Sequence, residues 1–171
     1  MPSLTGRLVP TFTVLDLARS TAWYAEVLGM EVYYQFVDAD GRVGDVCLRE
    51  PVSGLELCLV DHRANPGDDF NEFRTGLDHL EFLVAARVDL DAWAERLDAL
   101  GVSHSGVKEP TYTRNAMVTF RDPNNIQLEF FWRALEEAAK SAVSFSAKEH
   151  AGRPKDLEAL PELRTIRDHA R

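Results

Sequence analysis

Trp23-Tyr24-Ala25-Glu26-Val27-Leu28-Gly29-Met30 closes an amphipathic segment on a glycine, and Ala94-Glu95-Arg96-Leu97-Asp98-Ala99-Leu100-Gly101-Val102 does the same 72 residues later. A glycine just past the last apolar position is a left-handed helix stop. Working outward from Gly29, Asp16 or Ser20 caps the helix on its N-terminal side, and Leu8 to Leu15 before it alternates as a strand. After Gly29, Met30 to Val37 and Val43 to Arg49 read as strands joined by the turn Asp38-Ala39-Asp40-Gly41, and Leu55 to Val60 as a fourth. The order is βαβββ. Beyond the polar loop Asp61 to Gly76 it starts again: strand Leu77 to Val84, helix Val88 to Leu100, short strand Val102 to Ser105, strands Ala116 to Arg121 and Ile126 to Trp132.

This is an internal duplication. The expected fold class is α+β: two tandem βαβββ modules, over about 8–60 and 77–132, forming curved mixed sheets around a cleft. Residues 133–171 make a separate helical C-terminal extension. Leu135, Ala138, Ala139, Ala142 and Val143 form a narrow apolar stripe there, and Leu157, Leu160, Leu163 and Ile166 recur beyond Gly152-Arg153-Pro154.

Strand period sorts the side chains by face. Leu55, Leu57 and Leu59 share one face, as do Leu80, Phe82 and Val84, and Ile126, Leu128, Phe130 and Trp132; these suit a helix-covered core. The other faces carry Glu56, Cys58 and Val60, then His79, Glu81 and Leu83, then Gln127, Glu129 and Phe131. Carboxylates and an imidazole on a half-buried sheet face need partners, and either a divalent cation or water in an open cleft would serve. Trp23, Tyr24 and Trp93 read as core, and His62 and His104 as surface histidines near strand ends.

Composition narrows the function. The net charge is −9, made of −10 over residues 1–132 and +1 over 133–171. That balance argues against a nucleic-acid partner and against an anionic membrane surface. Cys47 and Cys58 sit in apolar runs, which argues against a disulfide framework and for a reduced, cytoplasmic setting; Cys58 reads as a packed thiol. The acidic loop Asp68-Asp69-Phe70-Asn71-Glu72 reads as solvated. No phosphate loop, dinucleotide fingerprint or nucleophile elbow is present.

Val14-Leu15-Asp16-Leu17-Ala18-Arg19-Ser20 with Trp23-Tyr24 and Val27-Leu28-Gly29 resembles the opening of the vicinal oxygen chelate superfamily, which groups glyoxalase, bleomycin-resistance and extradiol dioxygenase proteins. Thr75-Gly76-Leu77-Asp78-His79-Leu80 resembles the start of its second module, and Phe120-Arg121-Asp122-Pro123-Asn124-Asn125-Ile126-Gln127-Leu128-Glu129 its closing stretch. The glycine common in that last turn is Asn125 here, a residue that tolerates the left-handed conformation.

The resemblance implies metal ligands from the first and last strands of each module. His79, Glu129 and Glu56 match such positions; Val9 stands where a histidine or glutamine is expected. One imidazole and two carboxylates suit Mn²⁺, Fe²⁺, Mg²⁺ or Zn²⁺. Such a metal would polarise a bidentate oxygen ligand, with Glu129 or Glu56 as the catalytic base. Thr11, Cys58, Glu81, Tyr112, Arg114 and Phe131 are the candidate cavity residues. Two readings follow: a metal-dependent lyase, isomerase or dioxygenase-like enzyme on an oxygen-rich metabolite, or a metal-free protein sequestering an aromatic or polycyclic compound. Either would bind a small-molecule ligand as a homodimer.

Overall fold

Asp16 starts the first helix as expected: its carboxylate accepts from the Arg19 amide at 2.9 Å, and the helix α1 runs Leu17–Leu28 to a left-handed Gly29 at φ 69°. This computed structural model describes residues 5–111 and 113–134. The other elements are β1 (Thr11–Thr13), β2 (Glu31–Val37), β3 (Val43–Arg49), β4 (Glu56–Val60), β5 (Leu80–Leu83), α2 (Asp89–Ala99), β6 (Ala116–Arg121) and β7 (Gln127–Trp132). Gly101 stops α2 at φ 67°, repeating Gly29.

Two mixed sheets result. The first has the order β1-β4-β3-β2 and the second β5-β7-β6. Each is built on one plan: the strand before the helix runs parallel to the module's last strand, Thr11 opposite Cys58 in one and Glu81 opposite Glu129 in the other. The duplication is therefore present in the topology. It is incomplete in the second module. The expected strand Val102 to Ser105 does not form; only isolated bridges, His104 to Phe120 and Lys108 to Met117, run beside β6. Gly106, at φ 67°, interrupts that segment, and the side-chain oxygen of Ser105 takes the Thr119 amide that a ladder would use.

The helices cover the leucine-rich faces. Leu48, Leu57, Leu59, Leu90, Leu97, Val118 and Leu128 are fully buried in one cluster that draws on both modules. Trp23 of α1 stacks 6.3 Å from Phe120, and Trp93 of α2 lies 4.2 Å from Phe130. Tyr24 is buried and both tryptophans pack on the core, as their helical spacing implies. Arg96 of α2 donates to the carbonyls of Val27 and Glu26, filling acceptors that the end of α1 leaves open.

Three sequence expectations are corrected. Cys47 and Cys58 are not separate thiols but a disulfide, so the pair no longer argues for a reduced setting. The hairpin register sets them directly opposite each other, and strand alternation sends Val46, Leu48, Leu57 and Leu59 into the core while turning both cysteines the other way. His104 is not a surface histidine: its side chain is 10% exposed, held by Asp98 on one ring nitrogen and by the Gly106 amide on the other. The loop 68–72 is only partly solvated, because Glu72 pairs with Arg121 and Phe70 packs on the core. The two stripes of the C-terminal extension lie outside the described residues.

Candidate functional site

Each sheet has a second face, turned away from the helices, and the candidates Thr11, Glu56, Cys58, Glu81, Glu129 and Phe131 lie there. On the second sheet, Glu81 stands opposite Glu129 and Glu129 opposite Thr119, with Leu83, Phe131 and Met117 forming the next row. His79 lies just before β5, because the strand begins at Leu80 rather than Leu77. Asp78 takes one ring nitrogen of His79. The other, Nε2, is 3.5 Å from Glu81 and 3.8 Å from Glu129. The structure thus brings together His79, Glu129 and Glu81.

The electrostatics of this group are those of a site short of positive charge. Burial pushes Glu129 above its ordinary 4.5, and the neighbouring charges of Glu81 and Asp78 push the same way, against the opposing effect of His79. Burial also lowers His79, but hydrogen bonds to Asp78 and Glu81 and the Glu129 charge outweigh it and leave the imidazole above 6.5. Glu129 is one of four buried polar residues among those described, and its only described ionic contact is the long one to His79.

Glu56 is placed elsewhere. It sits on the open face of the first sheet, where Arg49 faces it across the ladder and donates through Nε at 3.0 Å and Nη2 at 2.7 Å. Arg7 adds a bond at 3.1 Å and the Tyr33 hydroxyl one at 3.3 Å. Arg49 also lies over the Tyr33 ring, 4.4 Å from its centre. The Arg49 hydrogen bond, followed by the charges of Arg49 and Arg7, holds the Glu56 carboxyl below the usual range. No hydrogen bond or ion pair joins Glu56 to His79 or Glu129 among the described residues.

Of the three donors that the resemblance implies, His79 and Glu129 lie side by side and Glu56 lies apart. Glu129 and the Nε2 of His79 are donor types that suit a hard divalent cation, since the one described ionic contact of this desolvated carboxylate is long, at 3.8 Å. Glu56 does not fit while two guanidinium groups occupy it. His79, Glu81 and Glu129 lie near one another, but no three histidine, cysteine or acidic side chains are placed so as to hold a metal ion among the described residues.

Of the other candidates, Thr11 is exposed on the open face beside the cysteine pair and borders a pocket of about 300 Å³ that Phe70, Leu77 and Ile126 help to line. Phe131 is buried on the Glu129 face, and Arg114 is exposed in the loop before β6. Tyr112 lies outside the described residues. Sequence reading missed the groups that define the two sites. Asp78 was detectable as the residue before the histidine. Arg49 and Tyr33 required the register of β2, β3 and β4.

Comparison with known proteins agrees with this fold. A family model, the Glyoxalase/Bleomycin resistance protein/Dioxygenase superfamily, matches residues 7–130. Among solved structures, a glyoxylase/bleomycin resistance protein/dioxygenase domain from Frankia sp. EAN1pec is 33% identical, with TM-score 0.67 over 77% of this chain and 94% of that one. The fosfomycin resistance protein FosX from Listeria monocytogenes, complexed with Mn(II) and sulfate, is 23% identical, with TM-score 0.58 over 80% of this chain and 99% of that one. Lactoylglutathione lyase from Agrobacterium tumefaciens is 20% identical, with TM-score 0.57 over 77% and 96%. The latter two share the fold. No curated protein matches the chain.

Proposed function

Because the chain belongs to the Glyoxalase/Bleomycin resistance protein/Dioxygenase superfamily, we propose that it is a small-molecule-binding enzyme that uses a divalent metal at His79 and Glu129. One observation carries the reading: a buried carboxylate, held above its ordinary pKa, lies within 3.8 Å of an imidazole that Asp78 orients. The metal, when bound, supplies a Lewis acid for a ligand with two neighbouring oxygens. Asp78 fixes the ring so that Nε2 faces Glu129. Glu129 is the proposed base, giving or taking a proton when it moves off the metal. Phe131 and Leu83 make the apolar row beside it. Glu56 joins the donor set only by leaving Arg49 and Arg7. The reaction is a lyase, isomerase or dioxygenase-like conversion of an oxygen-rich metabolite.

The protein is proposed to be a homodimer, since β2 and its neighbours expose Val32, Tyr33, Tyr34, Phe36 and Val37 in one run and Leu83 is exposed on the second sheet. The cytoplasm is proposed as its compartment; that no helix among the described residues is long and apolar enough to cross a membrane is a separate observation.

The test is the metal content of the purified protein by mass spectrometry, with His79→Ala as control. Stoichiometric Mn²⁺, Fe²⁺, Zn²⁺ or Mg²⁺ in the wild type and a loss in the variant are expected. If neither protein takes up added metal, a second reading replaces the first: a metal-free protein sequestering an aromatic compound. The exposed rings of Tyr33, Tyr34 and Phe36 favour it.

A further inference from the structure

Cys47 and Cys58 face each other across β3 and β4, the two central strands of the first sheet. Both are half-buried on its open face, while their chain neighbours Val46, Leu48, Leu57 and Leu59 fill the core on the other. The next pair along that face is Arg49 with Glu56. Thr11 flanks the cysteines from β1 and Tyr34 from β2. The sulfurs thus lie among the polar and aromatic side chains available to a ligand.

The bond is not what sets the register of the two strands. It spans 11 positions inside a hairpin that the register already closes on both sides, from Asp45 with Val60 to Arg49 with Glu56. Core packing on the far face also holds both strands, through Val46, Leu48, Leu57 and Leu59. When such a bond opens, the two thiols stay opposite each other and close again readily.

We propose that Cys47 and Cys58 form a reversible thiol–disulfide centre on the ligand-facing side of the sheet, exchanging with small-molecule thiols. A thiolate of the reductant attacks one sulfur, the S–S bond breaks, and the other sulfur leaves as a thiolate; a second reductant thiol then resolves the mixed disulfide. The protein gains two electrons and two protons, and two reductant thiols become one disulfide. In a reducing compartment, disulfides that form are as a rule catalytic or redox-sensing rather than structural. The centre is independent of the metal at His79 and Glu129, and its test does not involve them.

The chain contains only these two cysteines, so thiol counting reads the centre directly. Protein purified without reductant is alkylated under native conditions before reduction, after reduction by dithiothreitol, and after reoxidation by glutathione disulfide. The expected count of alkyl groups by mass spectrometry is none, two and none, with an unchanged circular dichroism spectrum. Cys47→Ser and Cys58→Ser should each stay folded and take one glutathione on the remaining sulfur. Reduction that needs denaturant, loss of the fold on reduction, thiols that do not close on glutathione disulfide, or single variants that refuse glutathione each overturn the proposal.

Discussion

The hydroxyl of Tyr24 donates to the carboxylate of Asp122 at 3.2 Å, a buried hydrogen bond between residues 98 positions apart. It joins the helix of the first module to the turn before the last strand of the second. Burial drives the pKa of Tyr24 well up, with help from the Asp122 charge, and burial raises Asp122 too. The carboxylate also accepts from the amides of Asn124 and Ile126, both at 2.8 Å. Tyr24→Phe removes one donor and leaves the rest. It should cost about 1 kcal/mol by chemical denaturation, with the m-value unchanged. A loss below a few tenths would mean the bond is idle.

Glu129 links the site to stability. Its pKa is raised, so the folded state favours the protonated form; the stability this gives is complete below 4.5 and is lost as pH climbs through the folded value. Glu129→Gln mimics the protonated state. With chelator present, the variant should exceed the wild type by about 1 kcal/mol at pH 8 and match it near pH 4. The same variant should lose the metal. Equal stability at both pH values would show that Glu129 is well solvated.

Glu56 poses a different question, because Arg49 and Arg7 compete with any cation for it. Arg49→Ala frees the side of the carboxylate that carries its two strongest bonds. If Glu56 is the third donor, Mn²⁺ should bind several-fold tighter to the variant by calorimetry. Unchanged affinity removes Glu56 from the ligand set and leaves it as an ion-pair partner of the open face.

Asn125 holds a left-handed backbone at φ 65° and donates through Nδ2 to the Phe70 carbonyl at 2.8 Å. Asn125→Ala should cost about 1–2 kcal/mol, from backbone strain together with the lost bond. Asn125→Gly should cost less, as it loses the bond but relieves the conformation. Thermal melts of the two variants check the order; a reversed order would show that strain at this residue is negligible.

Much of the fold was legible because period and punctuation agree. Gly29 and Gly101 both stop helices in the left-handed conformation, and the alternation of β4 and β7 assigns their core faces. His79 and Glu129 could be paired because both modules follow one plan. What escaped was cross-strand. The bond between Cys47 and Cys58 and the clamp of Arg49 on Glu56 depend on the register of one hairpin, and a shift of one residue would turn one strand's side chains to the opposite face. Alternation put Cys58 on its proper face, beside Glu56, but could not show that Cys47 stands opposite it. The strand expected at Val102 to Ser105 failed because a side-chain hydrogen bond and a left-handed glycine outweigh its apolar start.

Asn124 accepts the Leu15 amide at 2.9 Å, donates to Ser20 at 3.0 Å, and gives its own carbonyl to the Phe70 amide. A single turn of the second copy thereby completes the backbone of the first, at the entrance to α1 and in the linking loop. The halves retain the outline of repeats but have given up autonomy. Scanning calorimetry should show their melting as one cooperative event, and a gene fragment encoding either half alone would lack the partner that satisfies its interior.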